Sequence, residues 1–182
     1  MDKKILFKIT LCACFSALAT ITFAIESLFP PFFLPGARMG LSNVFILLSA
    51  IILGGKYAFI TLIVKISLGS LFSGNLSQII YSLPAGLVSL CAELSVLFFV
   101  KKTSVISASI SGAVINVAVQ NVIFCLVTNT IAFISYLPYL TLIGVLAGLI
   151  VGLAVYFIIK FIPLSQLENK KIYERTEKKI EN

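Results

Sequence analysis

Lys65 is the residue of this chain with the clearest chemical potential, because it lies within an otherwise apolar stretch, residues 57–72. On translocon-type scales a lysine at the centre of a bilayer costs roughly 2.5–3.5 kcal/mol, so an ionisable residue at that depth marks a functional site by default. We expect Lys65 to face the inside of a helix bundle. Two roles are open: it contacts an anionic solute in a cavity, or it forms a structural ion pair with Glu93, which lies at a similar depth.

Other polar residues could share a cavity with Lys65. Asn116 and Gln120 lie on one helical face by their i,i+4 spacing, and Glu26, Arg38 and Asn43 lie at or between the ends of apolar stretches. In a binding site, Arg38 and Lys65 would supply positive charge and the other four would orient the solute. In the alternative, the amides only form hydrogen bonds between helices, at ~0.6–2 kcal/mol each, and Arg38 lies among lipid headgroups.

The composition is that of an integral membrane protein: 59% of the 182 residues are hydrophobic, 12% are charged, and the mean hydropathy is +1.10. Crossing the hydrocarbon core takes about 20 apolar residues. Six apolar runs predict an all-α bundle of six transmembrane helices, at residues 5–28, 41–53, 57–72, 79–100, 105–134 and 139–162. The second run is short, and the fifth is long enough to tilt or to break near residues 128–130.

The basic residues predict the orientation of this single domain, residues 1–162. The net charge is +7, and with six crossings twelve of the fourteen Lys and Arg residues fall on one side, which the positive-inside rule assigns to the cytoplasm together with both termini. The N-terminus resembles a signal peptide, but its apolar run continues to Leu28, so we predict a retained first helix. The polar tail, residues 163–182, is either a short surface helix or a frayed, solvated segment.

No constellation for catalysis is found in the sequence. There is no histidine, the four cysteines form no CxxC pair, and no P-loop, GxGxxG or aspartate-rich DDxxD-type motif is present. We therefore predict that the chain is not an enzyme and holds no metal or cofactor.

Two patterns of small residues predict close contacts between helices. Gly144, Gly148 and Gly152 repeat at four-residue spacing in the last span, and their partner helix lies either in this chain or in another subunit. Ala13 and Ala17 form a shorter stripe of the same kind in the first span.

The segment between the first two spans carries a family resemblance. Glu26, the run Pro-Gly-Ala-Arg-x-Gly-Leu-x-Asn at residues 35–43, Lys65 with the Leu-Gly-Ser-Leu-Phe-x-Gly run at residues 68–74, and Tyr-Ser-Leu-x-x-Gly-Leu-x-Ser at residues 81–89 resemble the small membrane proteins called heptaprenyl diphosphate synthase component I, or the Gx transporter family. That family is similar in size and span count to the substrate-binding S components of energy-coupling factor (ECF) importers.

The resemblance implies a multi-pass protein of the bacterial cytoplasmic membrane that binds a small anionic micronutrient or metabolite from outside. Its partners would be a coupling transmembrane subunit and ATPase subunits, and Ala13 and Ala17 would match the first-helix contact with the coupling subunit. No nucleic-acid partner is expected. Two other roles stay open: an accessory subunit of heptaprenyl diphosphate synthase in isoprenoid or quinone biosynthesis, and a structural subunit of a membrane redox complex.

Overall fold

The computed structural model describes residues 3–28, 40–99 and 104–161, and these residues form an all-helical bundle. Five of its six α-helices are long and apolar enough to cross a membrane, as expected for the predicted membrane protein. Arg38 and the tail lie outside the described residues. The helices are α1 (Lys3–Leu28), α2 (Asn43–Ile52), α3 (Gly55–Phe72), α4 (Gln78–Phe99), α5 (Val105–Thr128) and α6 (Leu137–Phe161), with a 3₁₀ helix (Ile131–Tyr136) before α6.

Helix α2 differs most from the sequence prediction, which counted it as a full span. It has ten residues, about 15 Å at the rise of an α-helix, which is half of the hydrocarbon thickness. A six-span count is therefore not confirmed by the helix lengths. The helix is nonetheless central, because seven of its ten residues are buried.

Helix α2 is buried on two sides. Val44, Leu47, Leu48 and Ile51 pack in one apolar cluster with residues of α6, including Val155. Ile46 and Ala50 belong to a second cluster with Leu62 and Ile66 of α3 and Leu90 of α4. A short helix held on both sides in this way is part of the core, and it has no long lipid-facing surface.

Small polar side chains join α1 to α3 and α2. Ser16 donates to Thr61 Oγ1 at 3.5 Å, and Thr61 donates to Ser49 Oγ at 3.3 Å. Further along the same pair of helices, Phe23 packs against Gly69. Residue numbers rise together along the contacts between α1 and α3, so these two helices are parallel. A turn at Gly54 (φ +103°) connects α2 to α3, and α2 is antiparallel to both α1 and α3.

The remaining helices alternate in direction. Gly55 lies beside Leu94 and Gly86 beside Leu62, so α3 and α4 are antiparallel. Helix α5 ends at Thr128, where Asn129 adopts the left-handed conformation with φ +51° and caps the helix. The long fifth run therefore breaks within the predicted interval, and the 3₁₀ helix leads into α6.

The glycines of α6 face α5 within this chain. A Cβ atom added at Gly148 would lie 2.7 Å from Ile110 Cα, and one at Gly152 would lie 2.7 Å from Ile106 Cα. Gly144 has more space, with its nearest contacts at 3.4 Å. The backbones of α5 and α6 thus approach closely at two of the three glycines, which leaves no room for a side chain there.

We predict that Gly148→Ala and Gly152→Ala each destabilise the protein by about 1–3 kcal/mol, because the added methyl group forces two packed backbones apart. Gly144→Ala is the matched control on the same ridge, and its stability should stay within about 1 kcal/mol of wild type or rise through better helix propensity. Thermal melting in detergent measures all three. Equal losses at the three positions would contradict this account of the packing.

Candidate functional site

A cavity of about 70 Å³ lies inside the bundle and takes wall residues from all six α-helices. Five of the six predicted solute-binding residues line it: Glu26, Asn43, Lys65, Asn116 and Gln120. The sixth, Arg38, lies outside the described residues. The structure thus brings together side chains that are far apart in the sequence and that four different helices carry.

Lys65 is the buried cation of this cavity, with 5% of its surface exposed. Its Nζ donates a hydrogen bond of 2.6 Å to Asn43 Oδ1, and it lies 5.6 Å from the centroid of the Phe23 ring. A cation over an aromatic face is attracted by the ring quadrupole. The absence of a side chain at Gly69 is what lets Phe23 approach, since a Cβ there would lie 2.3 Å from the ring.

The short helix α2 places Asn43 at the depth of Lys65. Asn43 is the first residue of α2, so the amide that accepts from Lys65 lies at the start of this helix. Glu26 stabilises the same helix end, because its Oε1 accepts a hydrogen bond of 3.1 Å from the backbone N–H of Ser42. A carboxylate at a helix N-terminus also interacts favourably with the helix dipole.

Glu93 lines the cavity as well, and it is 7% exposed. Its carboxyl group packs over Gly112 of α5, where an added Cβ would lie 3.1 Å from Cδ and from Oε1. Lys65 and Glu93 interact electrostatically, and Lys65 also donates a hydrogen bond to Asn43, but no ion-pair contact between Lys65 and Glu93 is found among the described residues. The structural pair considered from the sequence is therefore not formed as a direct contact.

The amides on α5 take two different roles. Gln120 donates from Nε2 to Ser82 Oγ at 3.2 Å, and Asn116 shares the cavity wall with it. Asn121 is turned away: it donates to the backbone carbonyl of Phe133 at 3.3 Å and so attaches the 3₁₀ helix to α5. Gln120 and Asn116 remain available to a solute, while Asn121 is structural.

Sequence reasoning missed the serines of the cavity wall. Ser82, Gly86, Ser89 and Glu93 of α4 all line it, and their spacing of four, three and four residues puts them on one helical face. A stripe of small and polar residues at this period in an apolar helix is a signal that could have identified them. Ser42 also lines the cavity, and its buried Oγ has no hydrogen-bond partner.

The alanine stripe of α1 lies elsewhere. Ala13 and Ala17 are both exposed and are not part of the cavity wall, whereas Thr20, further along the helix, is buried and donates to the carbonyl of Ser16. Of the glycine ridge, Gly144 and Gly148 border the cavity in addition to contacting α5.

The site is built for polar recognition inside an apolar bundle. It offers an ammonium group, two carboxyl groups, three amides and several hydroxyl groups. Within the described ranges no group of three or more His, Cys, Asp and Glu residues could hold a metal ion. Such a donor set can orient a small charged molecule by hydrogen bonds and charge.

In a comparison with known protein families, a sequence profile described as heptaprenyl diphosphate synthase component I matches residues 15–158. The chain belongs to this family, because the match extends over well more than half of its length and over every helix of the bundle. Searches among curated proteins and among solved structures find no match.

We predict that a double-mutant cycle between Lys65→Met and Asn43→Leu gives a coupling of about 1.5–3 kcal/mol in the free energy of unfolding, because the pair forms a charged hydrogen bond at a buried position. Denaturation of the purified protein in mixed micelles measures it.

The matched control is the cycle between Lys65→Met and Glu93→Gln, which should give a smaller coupling since these side chains are not in ion-pair contact. A larger coupling for Lys65 with Glu93 than with Asn43 would show that Glu93, and not the amide of Asn43, is the main partner of the lysine.

Proposed function

We propose that this chain is the membrane-embedded solute-binding subunit of an importer similar to energy-coupling factor systems, and that it recognises a small solute with an acidic group. The observation that carries the proposal is the cavity, where Lys65, Asn43, Asn116 and Gln120 converge within an apolar bundle. Buried polar groups are costly in a membrane and are retained where they serve a solute pathway.

Energy for import would come from partner proteins, since the sequence contains no nucleotide-binding motif. The alanine face of α1 supports a subunit contact: Ala13 and Ala17 are exposed, and small residues let another helix approach closely. A coupling transmembrane subunit would dock on this face and transmit the work of ATPase subunits.

Six crossings, with both termini in the cytoplasm, fit this role. The parallel course of α1 and α3 brings Lys8 and Lys56 to one end of the bundle, and the alternation of α4, α5 and α6 brings Lys160 to the same end. Helix α2 would then complete only the inner half of the second crossing.

A second candidate function is an accessory role in heptaprenyl diphosphate synthase, which the description of the family favours. The cavity is small, about 70 Å³, and carries several polar groups in its lining. In this role the chain would act by binding the catalytic subunit at the membrane, and its cavity would have another use.

Affinity purification of the tagged chain from its native membrane tests both functions. Co-purifying ATPase and coupling subunits, together with a small molecule detected by native mass spectrometry, support the importer. A soluble prenyl synthase in their place, with no retained solute, supports the accessory role and rejects the importer.

We predict that the double substitution Ala13→Leu, Ala17→Leu abolishes co-purification of the partner while the monomer stays folded, because two branched side chains on an exposed face hold a neighbouring helix away. Cys91→Leu, which enlarges an exposed small residue of α4, is the control and should leave the association intact. Unchanged co-purification of the double variant would assign the alanine face to lipid.

We also predict the topology of the bundle. In a background without the native cysteines, an impermeant thiol reagent applied to intact cells should label a cysteine placed at Asn75, in the α3–α4 turn, and should not label one placed at Thr103. Labelling after cell lysis is the control that both positions are reactive. The reverse pattern would overturn the six-crossing arrangement with cytoplasmic termini.

A further inference from the structure

Three neutral polar side chains of the cavity wall have hydrogen-bonding atoms that no group in the described part of the chain satisfies. Asn116 of α5 lines the cavity, and its half-buried amide forms no hydrogen bond there. One turn further along α5, Gln120 donates from Nε2 to Ser82 Oγ, and its Oε1 accepts no hydrogen bond. On the α2 side, Ser42 is 1% exposed and its Oγ has no partner. Such groups are costly in a membrane bundle, and their convergence on one cavity points to a ligand that satisfies them.

The neighbouring amide of Asn121 shows what a structural amide on the same helix does. Asn121 is buried, donates to the carbonyl of Phe133 and thereby attaches the 3₁₀ helix to α5. The amide of Asn116 makes no such contact between elements. A polar group in a membrane helix that stabilises no helix contact is expected where it serves a solute.

The chemistry of a primary amide narrows the class of ligand. Asn116 presents an acceptor, Oδ1, beside donors on Nδ2, so it forms two parallel hydrogen bonds with a group that also presents a donor beside an acceptor. A carboxylate has acceptors alone, and its lone pairs would face those of Oδ1, whereas an ammonium group has donors alone. Gln120 lies on the same helical face at i+4, and its Oε1 adds a second acceptor next to the amide of Asn116.

We propose that Asn116 and Gln120 recognise an uncharged amide group of the solute, that is, a carboxamide, lactam or ureide. This inference rests on the proposed solute-binding function and specifies the part of the solute that is not acidic. Asn116 accepts from the N–H group of the solute and donates to its carbonyl group. Gln120 Oε1 accepts from a second N–H group, and Ser42 Oγ forms a hydrogen bond with the solute from the α2 side.

Isosteric probes distinguish an amide from groups of the same shape. Succinamate carries a carboxamide, levulinate has a methyl group in place of its NH₂ group, and succinate has an oxygen there. Pyroglutamate, a lactam, is paired with the lactone acid of the same ring size, and malonamate and glutaramate with their ketone and diacid counterparts vary the chain length. Binding to the purified protein in nanodiscs is followed by thermal shift and by calorimetry. We expect at least one amide probe to bind at least about tenfold more tightly than its counterparts, because a site that hydrogen-bonds an N–H group rejects an analogue without it.

Matched substitutions on α5 separate recognition from structure. Asn116→Leu should abolish the preference for the amide and leave the melting temperature unchanged or higher, because no hydrogen bond within the protein is lost. Asn121→Leu is the control. It removes the hydrogen bond to the Phe133 carbonyl, so it should lower the melting temperature by about 2–4 °C and keep the preference for the amide. General loss of folding cannot produce these opposite effects.

The inference is overturned if every amide binds no more tightly than its ketone or lactone, or if Asn116→Leu keeps the preference for the amide. It is also overturned if Asn116→Leu lowers the melting temperature as much as Asn121→Leu, since Asn116 would then be structural. If no probe binds, the small molecule retained in native mass spectrometry decides. A retained molecule without an amide group overturns the inference and leaves the solute-binding function standing, whereas the absence of any retained molecule rejects both.

Discussion

The burial of Lys65 is the constraint on which the rest of the bundle depends. An ammonium group at this depth needs an acceptor, and Asn43 Oδ1, which accepts a hydrogen bond of 2.6 Å from Lys65 Nζ, supplies it. Asn43 is the first residue of α2, so the N-terminal end of this short helix lies beside the buried lysine. Irregular backbone at membrane depth is tolerated where it lines a cavity, and the turn before α2 does so, with Gly40, Ser42 and Asn43 all in the cavity wall.

The two sides of the cavity are built by different kinds of packing. On one side, Gly148 and Gly152 bring the backbone of α6 against α5, so that this pair is fixed by direct contact. On the other side, hydrogen bonds between Ser16, Thr61 and Ser49 join α1, α3 and α2. Apolar clusters alone would leave helices of this composition free to rotate, since lipid is as apolar as their side chains. The glycines and hydroxyl groups fix the rotation and thereby turn the polar faces inward.

Much of this arrangement could be predicted from the sequence, because hydropathy and charge are local properties. The long helices, the break after Thr128 and the convergence of Lys65, Asn116 and Gln120 all follow from run length and helical spacing. The depth of Asn43 does not, since it depends on where α2 begins within the bundle. The serines of α4 were missed for a different reason: hydroxyl groups are common in membrane helices, and only the shared face of Ser82, Ser89 and Glu93 distinguishes them. The partner of Lys65 was also open, because sequence gives the depth of a charge and not the direction of its side chain.

The identity of that partner has consequences for what the cavity can do. The amide of Asn43 accepts a hydrogen bond from Lys65 without carrying a charge of its own. In a medium of low dielectric constant a charge acts over longer distances than it would in water. Glu93 lies on the same cavity wall but on another helix level, with its carboxyl group over Gly112. The amide on one side and the glycine on the other hold the two side chains at the cavity wall, where they interact electrostatically.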